Sequence, residues 1–370
     1  MRVDLVDPPA FTPPYDHALA AALAAEGART TLVTSRFGYG PVAAARGYAV
    51  DERFYRLQPG APGSRLRRAA RLAQHVPDMV AYRVTAPRRA DVVHLQWLTV
   101  QPLDVHLLPR GLRATVLTAH DVLPREPRRG QLDAQRRLLE RVDGVVVHSQ
   151  HGRERLIGEL GFDPGRVHVV PHGAFEHLTA VPDEQPLPRE LRAIADERPV
   201  VLCFGLLRPY KGLDVLLDAW RGIENAELWI VGMPRMDTTA LRAAAPPGVR
   251  WYPRFVPDAQ VAAFFRRADL VVLPYREIDQ SGVLFTALAF ARPMVLSAVG
   301  GFPEVARTGA AALVAPGDPA ALHARLRALL ADRAERERLG AAARAAATGP
   351  YGWDTIARRT LALYRDLAEP

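Results

Sequence analysis

Short, continuous runs of apolar and β-branched residues recur along the chain, and they constrain its fold more than any other feature. In the first half they are RVDLVD (2–7), TTLVTS (30–35), DVVHLQWL (91–98), ATVLTAHD (114–121), GVVVHS (144–149) and RVHVVPHG (166–173). In the second half they are VVLCFGLL (200–207), AELWIVG (226–232), VRWYP (249–253), DLVVLPY (269–275), PMVLSAV (293–299) and AALVAPG (311–317). A strand with one face in water alternates apolar and polar residues, whereas a strand buried on both faces does not. The runs therefore predict parallel sheets covered by helices. Helical spacing appears between them, as in HALAAALAAEG (17–27), which ends at Gly27, and LDVLLDAW (213–220). This strand–helix rhythm occurs twice.

The break falls at AVPDEQPLPRELRAIADERP (180–199), where three prolines lie within 182–188. The expected organisation is one Rossmann-like domain over 1–180, a second over 181–350, and a terminal amphipathic helix over 351–370. In GWDTIARRTLALYRDL (352–367), Trp353, Ile356, Leu361, Tyr364 and Leu367 fall mostly on one face. Two such domains facing each other make a cleft. Ligands of open α/β sheets bind where strands end and helices begin, so the loops after the strands carry the chemistry.

The loop after VVLCFGLL holds the one lysine of the chain. Of 48 basic residues, Lys211 alone is not arginine. Arginine is a planar fork of donors, whereas lysine is a compact ammonium that enters a tight, phosphate-lined space. A lysine surviving by chance on a solvated helix start is the other reading. In FGLLRPYKGLDVLLDAW (204–220) the strand ends at Gly205, and Lys211 and Gly212 open the next helix. A helix N-terminus offers free N–H groups to an anion, and Arg208 and Lys211 add two full charges. Neither GxxxxGK[ST] nor a first-turn GxGxxG is present, so NAD and an ATP γ-phosphate are disfavoured.

In LPYREIDQSGVLFTALAFARPMVLSAVGG (273–301), Glu277, Asp279 and Gln280 stand ready to hydrogen-bond sugar hydroxyls. The N–H groups around Ser281, Gly282 and Val283 form a second phosphate cradle. An ordinary cap, with Asp279 or Ser281 at its head, is the alternative. In TAHDVLP (118–124), His120 ends a strand and would point into the cleft; a structural histidine is the plainer reading. DPPAFTPPYDHALAAAL (7–23) makes a stiff loop with Tyr15, Asp16 and His17, expected to face an acceptor, although Asp16 could simply cap the following helix. The histidines show no metal-ligand spacing and no DxD triplet occurs, so no metal is expected.

Together these segments resemble glycosyltransferase family 4, retaining enzymes of the GT-B fold. FGLLRPYKGLDVLLDAW is similar to the family's Gly-Arg-x-x-x-x-Lys-Gly segment. LPYREIDQSGVLFTALAFARPMVLSAVGGFPE is similar to its Glu-x7-Glu, Gly-x-Pro-Val-Val and Val-Gly-Gly-x-x-Glu run. VVPHG (169–173) resembles its Ile-Pro-Asn-Gly stop, and YGWDTIARRTLALY (351–364) its terminal helix, which packs back on the first domain. The resemblance implies that Lys211 binds donor diphosphate. The family's arginine position is Leu206, and Arg208 stands in for it. The first glutamate falls on Ile278, between Glu277 and Asp279, and the second on Thr286, which would meet the nucleotide ribose. Ala291–Arg292 replaces the usual glycine before the proline. His120 matches the cleft histidine beside the donor sugar.

The expected fold is therefore α/β of the GT-B kind: two Rossmann-like domains across a cleft, with a returning C-terminal helix. The expected function is metal-independent, retaining transfer of a sugar from a nucleoside diphosphate sugar, UDP-sugar among the candidates. The acceptor hydroxyl would belong to a polysaccharide, lipid-linked glycan or natural product, with cell-envelope polysaccharide in view. Donor contacts are Gly205, Arg208, Lys211, Gln280, Ser281, Gly282, Val283 and Thr286. Catalytic candidates are His120, Arg208, Lys211, Glu277 and Asp279; acceptor candidates are Tyr15, Asp16 and His17. A sugar-nucleotide epimerase of the same fold, or an inactive binding protein, are the rival readings. The departures at 206, 286 and 291 motivate the second.

Charge and composition set the remaining limits. Residues 1–180 carry 24 Arg against 18 acids, an excess of +6; the remaining 24 Lys plus Arg against 22 acids give +2. The basic half suits an anionic acceptor or membrane surface. SRLRRAARLAQHV (64–76) sets Arg65, Arg68 and Leu72 on one stripe and Leu66, Ala69, Ala70 and Ala73 nearer the other, a basic amphipathic helix suited to anionic lipid; a solvated arginine face is the alternative. No apolar run approaches the ~20 residues of a membrane span, no secretion-type start is visible, and the single Cys203 lies in an apolar run. A cytoplasmic protein, peripheral at the inner face of the membrane, is expected. The arginines lack interleaved aromatics, which argues against nucleic acid.

Overall fold

The computed structural model describes residues 1–38, 40, 42, 44–123, 130–192 and 198–369. Pro124 and residues 193–197, part of two segments singled out above, lie outside the described residues. Seven parallel strands form the first sheet: β1 (Arg2–Asp7), β2 (Arg29–Ser35), β3 (Ala49–Phe54), β4 (Val92–Leu95), β5 (Ala114–Thr118), β6 (Gly144–Val147) and β7 (Val167–Val169). Their order is β3-β2-β1-β4-β5-β6-β7. Six form the second: β8 (Val200–Phe204), β9 (Glu227–Val231), β10 (Val249–Tyr252), β11 (Leu270–Leu273), β12 (Met294–Ser297) and β13 (Ala311–Val314), in the order β10-β9-β8-β11-β12-β13. Every apolar run of the sequence contains one of these strands, give or take a residue. The exception is β3, which carries Asp51, Glu52 and Arg53 at a sheet edge and so lacks a continuous apolar signature.

The chain divides into two compact units. One comprises Met1–His172 with Trp353–Pro370, the other Gly173–Gly352. The passage between them precedes the proline-rich stretch 180–199, because Ala174 and Leu178 already pack in the second unit's core. In the first unit the terminal helix Trp353–Ala368 lies on helix Pro13–Ala25. Ile356, Ala357, Leu361 and Tyr364 join Leu5, Tyr15, Leu19 and Leu23 in one core. Tyr364 also carries a polar anchor inward: its hydroxyl is 2.6 Å from His94 Nδ1, and His94 Nε2 is 2.7 Å from Thr118 Oγ1. Burial lowers the His94 pKa to about 3, so the ring is neutral and offers one donor and one acceptor.

Helix Arg65–Arg89 starts at Ser64, whose hydroxyl accepts from Arg67 N at 3.2 Å. Its division into faces differs from the stripes expected for 64–76. Arg67, His75, Met79, Tyr82 and Ala86 are buried, whereas Leu66, Leu72, Val76 and Val80 are exposed alongside Arg65 and Arg68. Arg67 turns inward because it bonds the Gln58 side chain.

The stiff loop after β1 is held by a carboxylate that is not Asp16. Asp7 Oδ2 accepts from Phe11 N at 2.6 Å and Thr12 N at 3.2 Å. Thr12 occupies the cap position of helix Pro13–Ala25, so Asp16 is no N-cap. Asp16 instead lies buried in the first turn, with the Thr12 hydroxyl 3.4 Å from its Oδ2. Burial raises the pKa of both Asp7 and Asp16, and the negative charge of Asp7 pushes Asp16 further, well above the usual carboxylate range.

Two outcomes follow for stability. Tyr364→Phe leaves a buried His94 nitrogen without its partner and should destabilise the first unit by about 1–3 kcal/mol, read as a lower melting temperature; an unchanged melt contradicts the anchor. Asp16→Asn should raise the melting temperature at pH 7, because a raised folded pKa is a penalty carried above the unfolded value of 3.8. That gain should shrink as pH falls from the raised folded value toward 3.8 and vanish below it, where both states are protonated; a gain that persists there argues against the acid pair.

Candidate functional site

Each sheet reverses its strand order once, and at such a point the loops of neighbouring strands diverge and leave a crevice. In the second sheet this lies between β8 and β11. Gly205 follows β8, and residues 274–281 follow β11. Gly205 has φ +101°, and a Cβ there would fall 2.8 Å from Lys211 Nζ and 3.0 Å from Val283 Cγ2. Glycine is what lets the ammonium lie against the strand end.

Lys211 is 3% exposed, so the solvated reading fails for this residue. Its Nζ donates to Phe204 O at 2.9 Å and sits 5.0 Å from the centroid of the Tyr275 ring. It belongs to a tight turn, Pro209–Lys211, and the helix expected to open at Lys211 begins two residues later, as Leu213–Trp220. Arg208, by contrast, is exposed, and its side chain makes no bond to the described residues. One buried and one solvent-facing cation thus follow the same strand.

The loop after β11 sorts its side chains sharply. Arg276 turns out to pair with Asp214, NH1 to Oδ1 at 2.8 Å, while its N–H bonds Tyr210 O at 2.8 Å. Glu277 is exposed; Ile278 packs into the core; Asp279 and Gln280 are half-buried. Ile278 thus occupies the expected glutamate position with an apolar side chain turned inward. Of the two flanking acids, Asp279 is the one held in place: its carbonyl accepts from Gly301 N at 3.1 Å. Gly300 has φ +55°, and a Cβ there would meet Ile278 O at 1.7 Å. Backbone therefore rests directly on backbone at this point.

Ser281 is buried and heads helix Gly282–Ala289, with its Oγ 3.5 Å from the Tyr275 hydroxyl. A helix start leaves N–H groups, here of Gly282 and Val283, without intrahelical acceptors. Thr286 is buried and its hydroxyl donates to Gly282 O at 2.9 Å, leaving only its lone pairs for a ligand. Tyr275 was not foreseen. It touches Lys211, Ser281 and, ring to ring at 5.6 Å, Tyr210; its signal was an aromatic two residues past a strand end.

In the first unit the order reverses between β1 and β4. His120, two residues past β5, stacks on Trp97 with ring centroids 5.0 Å apart and meets Tyr15 edge-on at 4.8 Å. Its Nδ1 is 3.1 Å from His148 Nε2, and its Nε2 is 3.0 Å from the Gln96 side-chain oxygen. His148 Nδ1 is 3.0 Å from Val170 O, a carbonyl that can only accept. Burial holds His120 well below its ordinary value and His148 at about 4, so both rings are neutral. Hydrogen then sits on Nδ1 of His148 and on Nδ1 of His120, and the bare His120 Nε2 calls for the NH2 end of Gln96, which has no other partner. Sequence reading found His120 but missed Gln96, Trp97 and His148, each ordinary until the sheet gathers them.

Tyr15, Asp16 and His17 are buried, at 2%, 1% and 8% exposure. Asp16 and His17 nevertheless line a pocket of about 110 Å³ in the first unit, together with Thr34, Ser35 and Phe37; Tyr15 is not part of that lining. Tyr15 packs against His120, His148 and His172, and His17 Nδ1 is 2.6 Å from the Tyr48 hydroxyl. The exposed residue of this loop is Phe11, 66% exposed and 4.6 Å from the Trp97 ring. Among the described residues no group of three acidic, histidine or cysteine side chains is placed to hold a metal ion.

Comparison with known proteins converges on these segments. Residues 15–174 match the profile described as Glycosyltransferase Family 4, and residues 198–332 that described as Glycosyl transferases group 1. The D-inositol 3-phosphate glycosyltransferase of Xylanimonas cellulosilytica is 31% identical over 302 residues, covering 74% of this chain and 71% of that protein. Among solved structures, sucrose-phosphate synthase from Thermosynechococcus elongatus superposes with a TM-score of 0.71 at 21% identity, covering 99% of both chains. Anabaena HepE, solved with UDP and glucose, gives a TM-score of 0.70 at 18% identity, covering 99% of this chain and 100% of that one. At these identities the two structures speak for the fold alone. The sequence matches, the two parallel sheets and the residues gathered at their strand ends agree: the chain belongs to glycosyltransferase family 4 and is a glycosyltransferase of the GT-B fold.

Proposed function

We propose that the protein transfers a sugar, with retention and without a metal, from a UDP-sugar to an acceptor hydroxyl. The observation that carries this reading is the buried Lys211 ammonium at the switch point of the second sheet. There it would meet the donor diphosphate together with Arg208 and the first N–H groups of helix Gly282–Ala289. Negative charge grows on the departing diphosphate in the transition state, and cations already in position stabilise it without reorganising. Those charges do the work a divalent ion would otherwise do. Asp279, held by Gly301, is the better placed acid for donor-sugar hydroxyls; Glu277, exposed, is the alternate. Ser281 and Gln280 complete that rim. Thr286 retains lone pairs for a ribose hydroxyl, a weaker contact than a carboxylate would make.

His120 lines the reacting side as a neutral ring. The acceptor oxygen bonds to the anomeric carbon on the face the diphosphate leaves. The bond to the phosphate oxygen breaks, and the acceptor proton passes to that oxygen. UDP is favoured because Anabaena HepE, which shares the fold, was solved with UDP and glucose. The basic character of the first half favours an anionic acceptor, such as a lipid-linked or phosphorylated glycan. Its helix Arg65–Arg89 exposes Leu66, Leu72, Val76 and Val80 beside Arg65 and Arg68, a face suited to an anionic membrane surface. No helix among the described residues is long and apolar enough to cross a membrane.

A thermal-shift panel of UDP, GDP and ADP should show the largest rise with UDP, about 2.7 kcal/mol of stabilisation at a hundredfold excess over Kd. UDP release from a UDP-sugar should require acceptor and survive EDTA. Release of UDP with no acceptor dependence points to an epimerase or hydrolase, and no release to an inactive binder; loss in EDTA overturns metal independence. For the membrane face, Leu66→Gln with Leu72→Gln should reduce co-sedimentation with phosphatidylglycerol vesicles several-fold without moving the melting temperature. Equal sedimentation of variant and wild type removes that part of the reading.

A further inference from the structure

A cavity lies in the second unit at the amino-terminal edge of its sheet, away from the strand ends that carry Gly205 and Lys211. It holds about 550 Å³. Asp269 precedes β11 and Arg292 precedes β12, and they face Arg333, Arg336, Glu337 and Arg344 of helix Arg333–Thr348 across the space. Four arginines against two acids leave a lining excess of +2.

Both acids are already taken. Glu337 Oε1 pairs with Arg333 Nε at 2.8 Å. Asp269 Oδ2 pairs with Arg267 at 2.9 Å and accepts from Val200 N at 2.8 Å. Arg292, Arg336 and Arg344 therefore have no carboxylate within ion-pair distance among the described residues. Arg292 donates to Phe290 O at 2.9 Å and Ala268 O at 2.8 Å, and Arg336 to Leu330 O at 2.9 Å. These carbonyls end helices, whose partial negative charge offsets part but not all of the guanidinium charge. Arg344 is exposed and its side chain makes no bond among the described residues. Burial lowers the Arg292 pKa; the charge of Asp269 opposes this, and Arg344 adds a smaller lowering.

The arrangement is built rather than accidental. Ala291 adopts φ +53°, a left-handed conformation that a side chain disfavours, and this turn presents Arg292 to the cavity. Gly340 lets the helix approach that turn, since a Cβ there would lie 2.9 Å from Ala291 O. Strain and close packing thus bring the unpaired guanidinium charges to one space.

We propose that this cavity binds a phosphate-bearing anion. A phosphate near neutral pH carries about −1.5 to −2, matching the lining excess. Its three oxygens accept from several planar guanidinium forks at once, which a single carboxylate cannot do. The volume falls within the ~300–1,000 Å³ of small-ligand sites. The source is either a soluble phosphorylated compound or a phosphomonoester lipid headgroup, and the chemistry of recognition is the same.

The test uses the full chain saturated with UDP, so that the strand-end site does not contribute. Calorimetric titration with inorganic phosphate and co-sedimentation with phosphatidylcholine vesicles containing phosphatidic acid are run on wild type, Arg344→Gln, Arg336→Gln and Lys211→Met. Arg344 is exposed, so its variant should fold normally. Each arginine variant should lose about tenfold in phosphate affinity, the loss expected for one charge-assisted hydrogen bond, and Lys211→Met should lose none. Loss confined to the vesicle arm identifies the lipid headgroup as the source; loss confined to free phosphate identifies a soluble ligand. No binding by wild type in either arm, or binding unchanged in both arginine variants, overturns the proposal. So does a loss in Lys211→Met alone.

Discussion

The Lys211 ammonium donates to the carbonyl that ends β8, and the 2.9 Å length of that bond fixes where the one lysine of the chain can be. A buried ammonium must be compensated or it gives up its proton. The Phe204 carbonyl and the face of Tyr275 supply part of that compensation as fixed dipole and quadrupole. Neither carries a full negative charge, and the proposed function puts the donor diphosphate beside them. On the proposed function, that contact is what would link the α/β scaffold to phosphate chemistry.

Reaching this arrangement takes close approach of backbone to backbone. Gly205 leaves room for the ammonium, Gly212 for the carbonyl of Pro274, and Gly300 for the carbonyl of Ile278. In the last two cases the obstructing atom is backbone carbonyl, which cannot swing aside as a side chain can. The loops around the switch point are thereby held closely, and on the proposed function such preorganised cations and N–H groups would need no rearrangement during reaction. The first unit achieves order differently, through a neutral chain of Gln96, His120, His148 and the Val170 carbonyl. There each hydrogen bond fixes the tautomer of the next ring.

The strands were legible because burial on both faces writes an unbroken apolar run, and Lys211 was legible because it stands alone among arginines. β3 escaped notice because an edge strand half in water carries charges. The acceptor loop was only partly legible, for a related reason. Tyr15, Asp16 and His17 look like surface chemistry in sequence, but helix Pro13–Ala25 turns them inward. No local pattern distinguishes a buried acid pair such as Asp7 and Asp16 from two solvated ones. The arginines at 292, 336 and 344 were similarly silent, since a charge run reads as a solvated face until the turn at Ala291 gathers them.

The most direct measurement compares UDP with uridine in calorimetric titrations of wild type and Lys211→Met. If the ammonium meets the diphosphate, the variant should bind UDP at least tenfold more weakly while its affinity for uridine stays the same. An equal loss for both ligands, or no loss for UDP, would contradict a role for Lys211 in holding phosphate.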